Sequence, residues 1–142
     1  MSDSASILVI DDEPGFLRLM SAMLEADSYR VETASSGAEA LERVQRGLAP
    51  DLVLLDLLMP EPNGLETLER IRQVQPALKV IMLSCVNDSR KVVQAIRLGA
   101  QDYLTKPFQR AELDAVLRRY LSPRAAAVET PGWKGEVEEL GE

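Results

Sequence analysis

Three short apolar runs constrain the fold of this chain more than any other feature of its sequence. Each run has four residues and contains no polar side chain: ILVI at residues 7–10, LVLL at 52–55 and VIML at 80–83. A run of four is too short for a helix, and a strand with one wet face would alternate apolar with polar residues. The runs therefore predict inner strands of a parallel sheet that is covered on both faces.

Two weaker strand signals and five helical patterns complete the predicted order. Residues 29–33 alternate apolar with polar and residues 102–105 form a short run, so both fit the edges of the sheet. The helices have recognisable start and stop residues: Pro14, Ser36 with Glu39 as a capping box, Gly47, Asn63 with Glu66, Pro76, Asp88 or Ser89, Gly99 and Pro107. Regular β-α alternation predicts an α/β fold, a doubly wound five-stranded parallel sheet with five helices.

The length of 142 residues and a content of 46% hydrophobic and 27% charged residues predict one globular domain. All predicted elements fall within residues 1–121, which we assign to this domain. Residues 122–142 lose the apolar spacing and gain proline, glycine and acidic residues. We expect them to form a linker or flexible tail.

The composition also excludes several functional classes. A net charge of −7 argues against direct DNA binding by this chain, because such binding depends on clustered lysine and arginine. No apolar run approaches the roughly 20 residues that cross a bilayer, and the N-terminus has no basic leader, so we expect a cytoplasmic protein without membrane contact. The chain has no histidine, which excludes Ser-His-Asp and Cys-His catalysis and histidine-ligated zinc.

Polar residues follow the predicted strands at the points where the strands end. They are Asp11, Asp12 and Glu13 after the first strand, Asp56 at the end of the third, Ser84 at the end of the fourth and Lys106 after the fifth. In a parallel sheet these positions meet at one edge. Taken singly, each residue is more simply a turn, cap or surface residue.

Taken together, the carboxylates need a cation. Two carboxylates about 4 Å apart repel by roughly 4 kcal/mol at an effective dielectric constant of ~20. A hard divalent ion such as Mg²⁺ suits an oxygen-rich pocket of this kind. Asp56 could then act as a nucleophile that accepts a phosphoryl group.

Four motifs in this order resemble the receiver domain of two-component response regulators, whose simplest member is the chemotaxis regulator. The motifs are ILVIDDE, DLVLLDLLMPEPNG, VIMLS and DYLTKPF, and the resemblance covers roughly residues 5–121. It implies a flavodoxin-like strand order 2-1-3-4-5. It also implies that Asp56 is the phosphoacceptor, supplied by a sensor histidine kinase, a phosphotransfer protein or a small phosphodonor.

The resemblance implies a role for each residue of the predicted pocket. Asp12, Asp56 and the backbone carbonyl of Leu58 would bind Mg²⁺ directly, and Asp11 would reach the ion through water. Lys106 would pair with the phosphoryl oxygens.

The resemblance also implies a switch that follows phosphorylation. By the same resemblance, the peptide bond between Lys106 and Pro107 would be cis. Ser84 would turn its hydroxyl toward the phosphoryl group, and Tyr103 would swing inward behind it. The switched surface would be the fourth helix, fifth strand and fifth helix, through which we expect a homodimer. Charged residues are available there for pairing: Arg90, Lys91, Arg97, Asp102, Arg110, Arg118 and Arg119.

We expect no enzymatic activity beyond the chain's own phosphorylation and slow dephosphorylation. The apolar side chains of Leu58 and Val86 would flank the site, and neither can orient an attacking water molecule. We expect Cys85 to be a part-buried small residue beside the pocket. A phosphatase of the haloacid dehalogenase type is a remote alternative. Such enzymes place a general acid two residues after the nucleophile, but this chain has the apolar Leu58 at that position.

The segment PGWKGEVEELGE at residues 131–142 resembles the linker before the ATPase domain of enhancer-binding activators of the nitrogen-regulation type. The favoured interpretation is therefore the input module of a transcription regulator. The alternative is a stand-alone adapter that acts by docking its switched face.

Overall fold

The computed structural model describes residues 4–121, and within them every predicted element is present. The strands are β1 (Ser6–Ile10), β2 (Arg30–Ala34), β3 (Leu52–Asp56), β4 (Val80–Ser84) and β5 (Asp102–Thr105). The helices are α1 (Pro14–Ala26), α2 (Gly37–Gln45), α3 (Gly64–Val74), α4 (Ser89–Arg97) and α5 (Arg110–Leu121). The predicted linker or tail, residues 122–142, lies outside the described residues, so the domain boundary at 121 stays a prediction.

The chain forms two compact units, divided after Phe108. The first unit carries the sheet and α1 to α4. The described part of the second unit is Gln109 and α5. At the start of α5 the backbone amide of Gln109 donates to Glu112 Oε1 at 2.7 Å. The buried residues of α5 are Leu113, Val116 and Leu117.

All five strands are parallel and lie in the order β2-β1-β3-β4-β5, which confirms the predicted doubly wound sheet. Register brings Ile10 beside Leu55, Asp56 beside Leu83 and Ser84 beside Thr105. Because the strands run in one direction, their carboxyl ends share one edge of the sheet. The polar residues that follow β1, β3, β4 and β5 are thereby brought to the same side.

The inner strands are buried on both faces, as their unbroken apolar runs predict. Every residue of β3 and β4 is buried. Alternate residues of the sheet pack with α2, α3 and α4 in one core cluster, to which the sheet contributes Leu8, Ile10, Ala34, Val53, Leu55, Val80 and Met82. The intervening residues belong to the opposite face. They are also fully buried: Ile7, Val9, Leu52, Leu54, Ile81 and Leu83.

Side chains cap the starts of α2 and α3, and at α2 the hydrogen bonds differ from the prediction. At α3 the capping box is complete: Asn63 Oδ1 accepts from the Glu66 amide and Glu66 Oε1 accepts from the Asn63 amide, both at 2.9 Å. At α2 the Ser36 hydroxyl accepts from the Glu39 amide at 3.1 Å. The Glu39 carboxylate, however, accepts from the Ser35 amide and hydroxyl. The predicted capping box at α2 is therefore wrong in one of its two hydrogen bonds: the Glu39 carboxylate accepts from Ser35 instead of from the Ser36 amide.

Glycines end two helices as predicted. Gly47 follows α2 with φ of +108° and Gly99 follows α4 with φ of +107°, a region that side chains rarely adopt. Asp88 precedes α4, but its carboxylate accepts from the Cys85 amide at 2.8 Å and caps no helical amide. Within residues 4–121, none of the helices combines the length and hydropathy that a bilayer crossing needs.

Candidate functional site

Asp56 is the last residue of β3, and strand pairing fixes its position. The next residue, Leu57, donates its amide to the Leu83 carbonyl at 2.9 Å, so the pairing of β3 with β4 continues past the carboxylate. The Leu58 amide lies 3.4 Å from Asp56 Oδ1. The residue is only 6% exposed. The four apolar residues before it therefore hold a carboxylate at the edge of the sheet with little access to water.

Two further carboxylates lie beside it, on the turn after β1. Asp11 is fully buried and its amide donates to the Ala34 carbonyl at 3.1 Å, which extends the pairing of β1 with β2. Its Oδ1 accepts from the Glu13 amide at 2.9 Å. Asp12 is exposed. One carboxylate oxygen from each of Asp11, Asp12 and Asp56 lies within 4.8 Å of the others.

Lys106 closes this acidic cluster. Its Nζ lies 2.7 Å from Asp11 Oδ2 and 3.7 Å from Asp56 Oδ1. The backbone of Lys106 is fixed as well, because its amide donates to the Ser84 carbonyl at 2.6 Å. The bond between Lys106 and Pro107 is cis, as predicted. The ammonium group is thus held between two carboxylates from two different strands.

The electrostatics of the pocket show an excess of negative charge. The pKa of Asp56 is raised from 3.8 to about 6: burial is the largest cause, the charge of Asp11 adds to it, and the charge of Lys106 opposes both. Burial acts to lower the pKa of Lys106, but its hydrogen bond to Asp11 and the charges of Asp56 and Asp11 outweigh this, so its pKa lies above the ordinary value. One ammonium group does not neutralise three carboxylates. The charges of Asp11 and Asp12 therefore add to burial in raising the pKa of Asp56.

The donor set of the pocket fits a hard divalent cation. Three carboxylates supply oxygen ligands of the kind that Mg²⁺ prefers, and the exposed Asp12 leaves the cluster open to solvent. A bound cation would relieve the repulsion that raises the pKa of Asp56. The ligand role of the Leu58 carbonyl stays a prediction; its side chain is 43% exposed at the rim.

Ser84 and Tyr103 lie on the neighbouring strands β4 and β5. Ser84 ends β4 and is 2% exposed. Tyr103 lies on β5 and is 46% exposed. Both residues line an open cavity of about 570 Å³ whose other walls come from the turn after β4 and from α4. The predicted inward movement of Tyr103 stays a prediction.

The exposure of Cys85 differs from the expectation. The residue is exposed rather than part-buried. It is the first residue after β4 and lies in the turn that Asp88 closes through the Cys85 amide. Its side chain has therefore left the packed layer of the sheet.

Sequence reasoning missed two residues of the site. The Gly64 amide donates to the Leu57 carbonyl at 3.2 Å, and a Cβ at Gly64 would meet the Asp56 carbonyl oxygen and lie 2.6 Å from Leu57 Cα. The start of α3 therefore lies directly against the residue that carries the carboxylate, and only glycine fits. The Asn-Gly pair at the helix start was the available signal. The second residue is Phe16, whose ring contacts Lys106 and for which the sequence offered no signal.

The fold and the site together define a class: an α/β protein of flavodoxin-like strand order with an acidic pocket, closed by a lysine, at the carboxyl edge of its sheet. Comparison with known families makes the assignment specific. The family model of the response regulator receiver domain matches residues 7–118, and the chain belongs to this family.

Individual relatives agree with this assignment. The transcriptional regulatory protein KdpE of Mycobacterium tuberculosis is 45% identical over 123 residues, which cover 87% of this chain and 54% of KdpE. The crystal structure of NtrX from Brucella abortus is similar with a TM-score of 0.78 and 35% identity, over 84% of this chain and 27% of NtrX. A receiver domain protein from Clostridium thermocellum has a TM-score of 0.79 and 33% identity, over 85% of this chain and 97% of its own.

The chain spans about half the length, or less, of the first curated relatives it matches. It is a receiver domain of two-component response regulators, and transcription regulators are among its relatives.

Proposed function

We propose that this receiver domain accepts a phosphoryl group on Asp56 and uses the modified residue to switch an adjacent surface. One observation carries the proposal: three carboxylates from β1 and β3 meet within 4.8 Å beside a lysine ammonium that reaches both Asp11 and Asp56. The pKa of Asp56 is about 6, so the carboxylate is mostly ionised near pH 7 and available as a nucleophile.

Mg²⁺ is the proposed cofactor. Asp12, Asp56 and the carbonyl of Leu58 would hold it directly, and Asp11 would hold it through water. When bound, it supplies positive charge for the oxygens of the transferring phosphoryl group.

The remaining steps belong to the chain's own residues. An Asp56 carboxylate oxygen forms a bond to phosphorus while the P–N bond of a phosphohistidine breaks, and the released imidazole takes a proton from solvent. The donor would be a sensor histidine kinase or a phosphotransfer protein. Lys106 would bind the phosphoryl oxygens through its ammonium group, and the Ser84 hydroxyl would donate to them.

The reaction is confined to the domain itself, so we propose no enzymatic activity on other substrates. Loss of the phosphoryl group needs a water molecule aligned with the P–O bond. Leu58 at the rim and the exposed Val86 are both apolar and cannot hold such a water molecule by hydrogen bonding. Self-dephosphorylation would therefore be slow.

The switch would act through Ser84 and Tyr103 on the surface of the fourth helix, fifth strand and fifth helix, through which we propose a homodimer. Exposed apolar side chains on α4 and β5 support this for the first unit: Val93, Ile96 and Tyr103. We further propose that the domain is the input module of a cytoplasmic transcription regulator, in which any DNA binding belongs to an output domain outside this chain. The longer transcription regulators among its relatives support this context.

Incubation with acetyl phosphate and Mg²⁺, followed by intact-protein mass spectrometry, tests the phosphoacceptor. The wild-type protein should gain one acid-labile phosphoryl group, and Asp56→Asn should gain none. Asp51→Asn is a matched control, because it makes the same change just before the amino end of β3. No adduct on the wild type, or an adduct that survives Asp56→Asn, would overturn the proposal.

Two further measurements test the finer claims. Sedimentation velocity before and after phosphorylation should show a dimer in at least one of the two states, and the coefficient of a monomer in both would refute the dimer. The natural reading frame decides the context: continuation into an output domain supports the input module, whereas a stop codon after this segment supports the stand-alone adapter.

A further inference from the structure

Lys106 has a third neighbour that the acidic pocket does not account for. Its Nζ lies 4.2 Å from the ring centroid of Phe16, on α1. A lysine ammonium within about 6 Å of a ring face is attracted by the quadrupole of the ring. Phe16 is half-buried, and the Lys106 side chain is 23% exposed, so water competes only in part for this contact.

Phe16 is itself held in place by Phe108. The two rings meet edge to face, with centroids 6.2 Å apart and an interplanar angle of 84°. Phe108 follows Lys106 by two residues, beyond the cis bond to Pro107. The turn after β5 therefore contacts Phe16 twice, once with an ammonium group and once with a ring.

A neutral holder has a physical advantage at this position. Asp11 holds Lys106 at 2.7 Å, but Asp11 belongs to the carboxylate cluster that a divalent cation would also engage. A further carboxylate would hold the lysine only by adding to the repulsion that already raises the pKa of Asp56. An aromatic face attracts the ammonium group and adds no net charge.

We propose that Phe16 is a positioning residue, which holds the Lys106 ammonium group over the pocket and toward Asp56 through its ring face. The effect of Phe16 on the rate of phosphorylation rests on the proposed function, in which Asp56 accepts a phosphoryl group. The geometric content of the proposal, the seating of Lys106 on the ring, stands without that function.

Three variants separate ring electrostatics from packing. Phe16→Leu keeps an apolar side chain and removes the ring, Phe16→Tyr keeps the ring, and Leu24→Val removes a buried methylene group from α1 more than two turns away. Leu24 is buried and is no part of the pocket, so its variant reports what loosened packing of α1 does by itself.

The first readout is the NMR signal of the Lys106 ε-methylene group in metal-free protein, assigned with Lys106→Ala. Protons over a ring face are shifted upfield, so the wild type, Phe16→Tyr and Leu24→Val should show an upfield signal and Phe16→Leu should lose it. An ordinary lysine shift in the wild type would overturn the proposal, whatever the protein does with phosphodonors.

The second readout is the rate of phosphorylation by acetyl phosphate at saturating Mg²⁺, with Mg²⁺ affinity measured separately by calorimetry. Phe16→Leu should be slower by about two- to thirtyfold, the rate equivalent of one cation–π contact, with Mg²⁺ affinity changed less than about twofold. Phe16→Tyr should recover most of the rate, and Leu24→Val should keep it. Equal losses in Phe16→Leu and Leu24→Val, or no recovery in Phe16→Tyr, would reduce Phe16 to a packing residue. A wild type that accepts no phosphoryl group would refute the proposed function, and the NMR signal would still decide the position of Lys106.

Discussion

The buried charge of Asp56 should make the metal-free domain less stable than a variant without that charge. Burial and the neighbouring Asp11 raise the pKa of Asp56 from 3.8 to about 6 in the folded protein. Each pKa unit corresponds to about 1.36 kcal/mol, so the ionised carboxylate costs about 3 kcal/mol relative to the unfolded chain. Asp56→Asn keeps the size of the side chain and removes this net cost, which already includes the favourable contact with Lys106 at 3.7 Å. We therefore expect Asp56→Asn to raise the free energy of unfolding by about 1–3 kcal/mol near pH 8.

The pH dependence of this difference has a definite sign. Because the folded pKa of Asp56 lies above the unfolded one, the unfolded chain ionises first as the pH rises from about 4 to about 6. The contribution of Asp56 to the stability of the wild type falls across that window and changes no further above about pH 7. Asp56→Asn has no such ionisation. Its advantage should therefore be largest at neutral and alkaline pH and should vanish below about pH 3.

Urea unfolding followed by circular dichroism, with a chelator present, measures both quantities. Asp51→Asn, exposed and outside the pocket, is the control for the amide substitution itself. A variant less stable than the wild type near pH 8, or an advantage that stays constant from about pH 8 to pH 5, would refute the electrostatic account. Adding Mg²⁺ at about 100 times its dissociation constant should stabilise the wild type by about 2.7 kcal/mol, and Asp56→Asn by much less.

Three further outcomes follow from the same contacts. Lys106→Met should raise the pKa of Asp56 above 6, because it removes the charge that lowers this pKa; ¹³C NMR titration of the carboxyl group in chelator would show it, and an unchanged value would contradict the pairing. Gly64→Ala should cost about 1–3 kcal/mol or more in urea unfolding because its Cβ collides with backbone, whereas Gly15→Ala, which has space, should gain up to about 1 kcal/mol. Leu58→Asn should shorten the life of the phosphorylated protein by up to about tenfold, the rate equivalent of one hydrogen bond to water; a wild-type half-life of seconds would contradict slow loss.

The sequence by itself was sufficient to predict the strands and helices and their order along the chain. Unbroken apolar runs, turn residues and helix-end signals act within a few residues, so they predict where each strand and helix lies whatever the remainder of the chain does. The weak runs at 29–33 and 102–105 were correctly assigned to the edges, because an edge strand tolerates polar residues on its open side. The rule that parallel strands share their carboxyl edge then brought Asp11, Asp12, Asp56 and Lys106 to one place.

The local sequence signals gave a wrong prediction at two residues, Glu39 and Cys85. Ser36 and Glu39 have the spacing of a capping box, yet the carboxylate bonds to Ser35. Cys85 follows a buried strand, yet its side chain is exposed, because the strand ends one residue earlier. The first outcome depends on which of two nearby serines has the better geometry and the second on where the strand ends, and residue spacing encodes neither.

Only the tertiary structure decided how the pocket is held. Lys106 and Asp11 are 95 residues apart and meet at 2.7 Å, and Phe16 reaches the same ammonium group from α1. The close approach of Gly64 to the end of β3 is of the same kind. The sequence determined which residues come to the edge of the sheet, since periodicity and strand direction are local properties. The distances between them depend on strand order, register and helix placement together. These distances determine the pKa of Asp56 and the position of the Lys106 ammonium group.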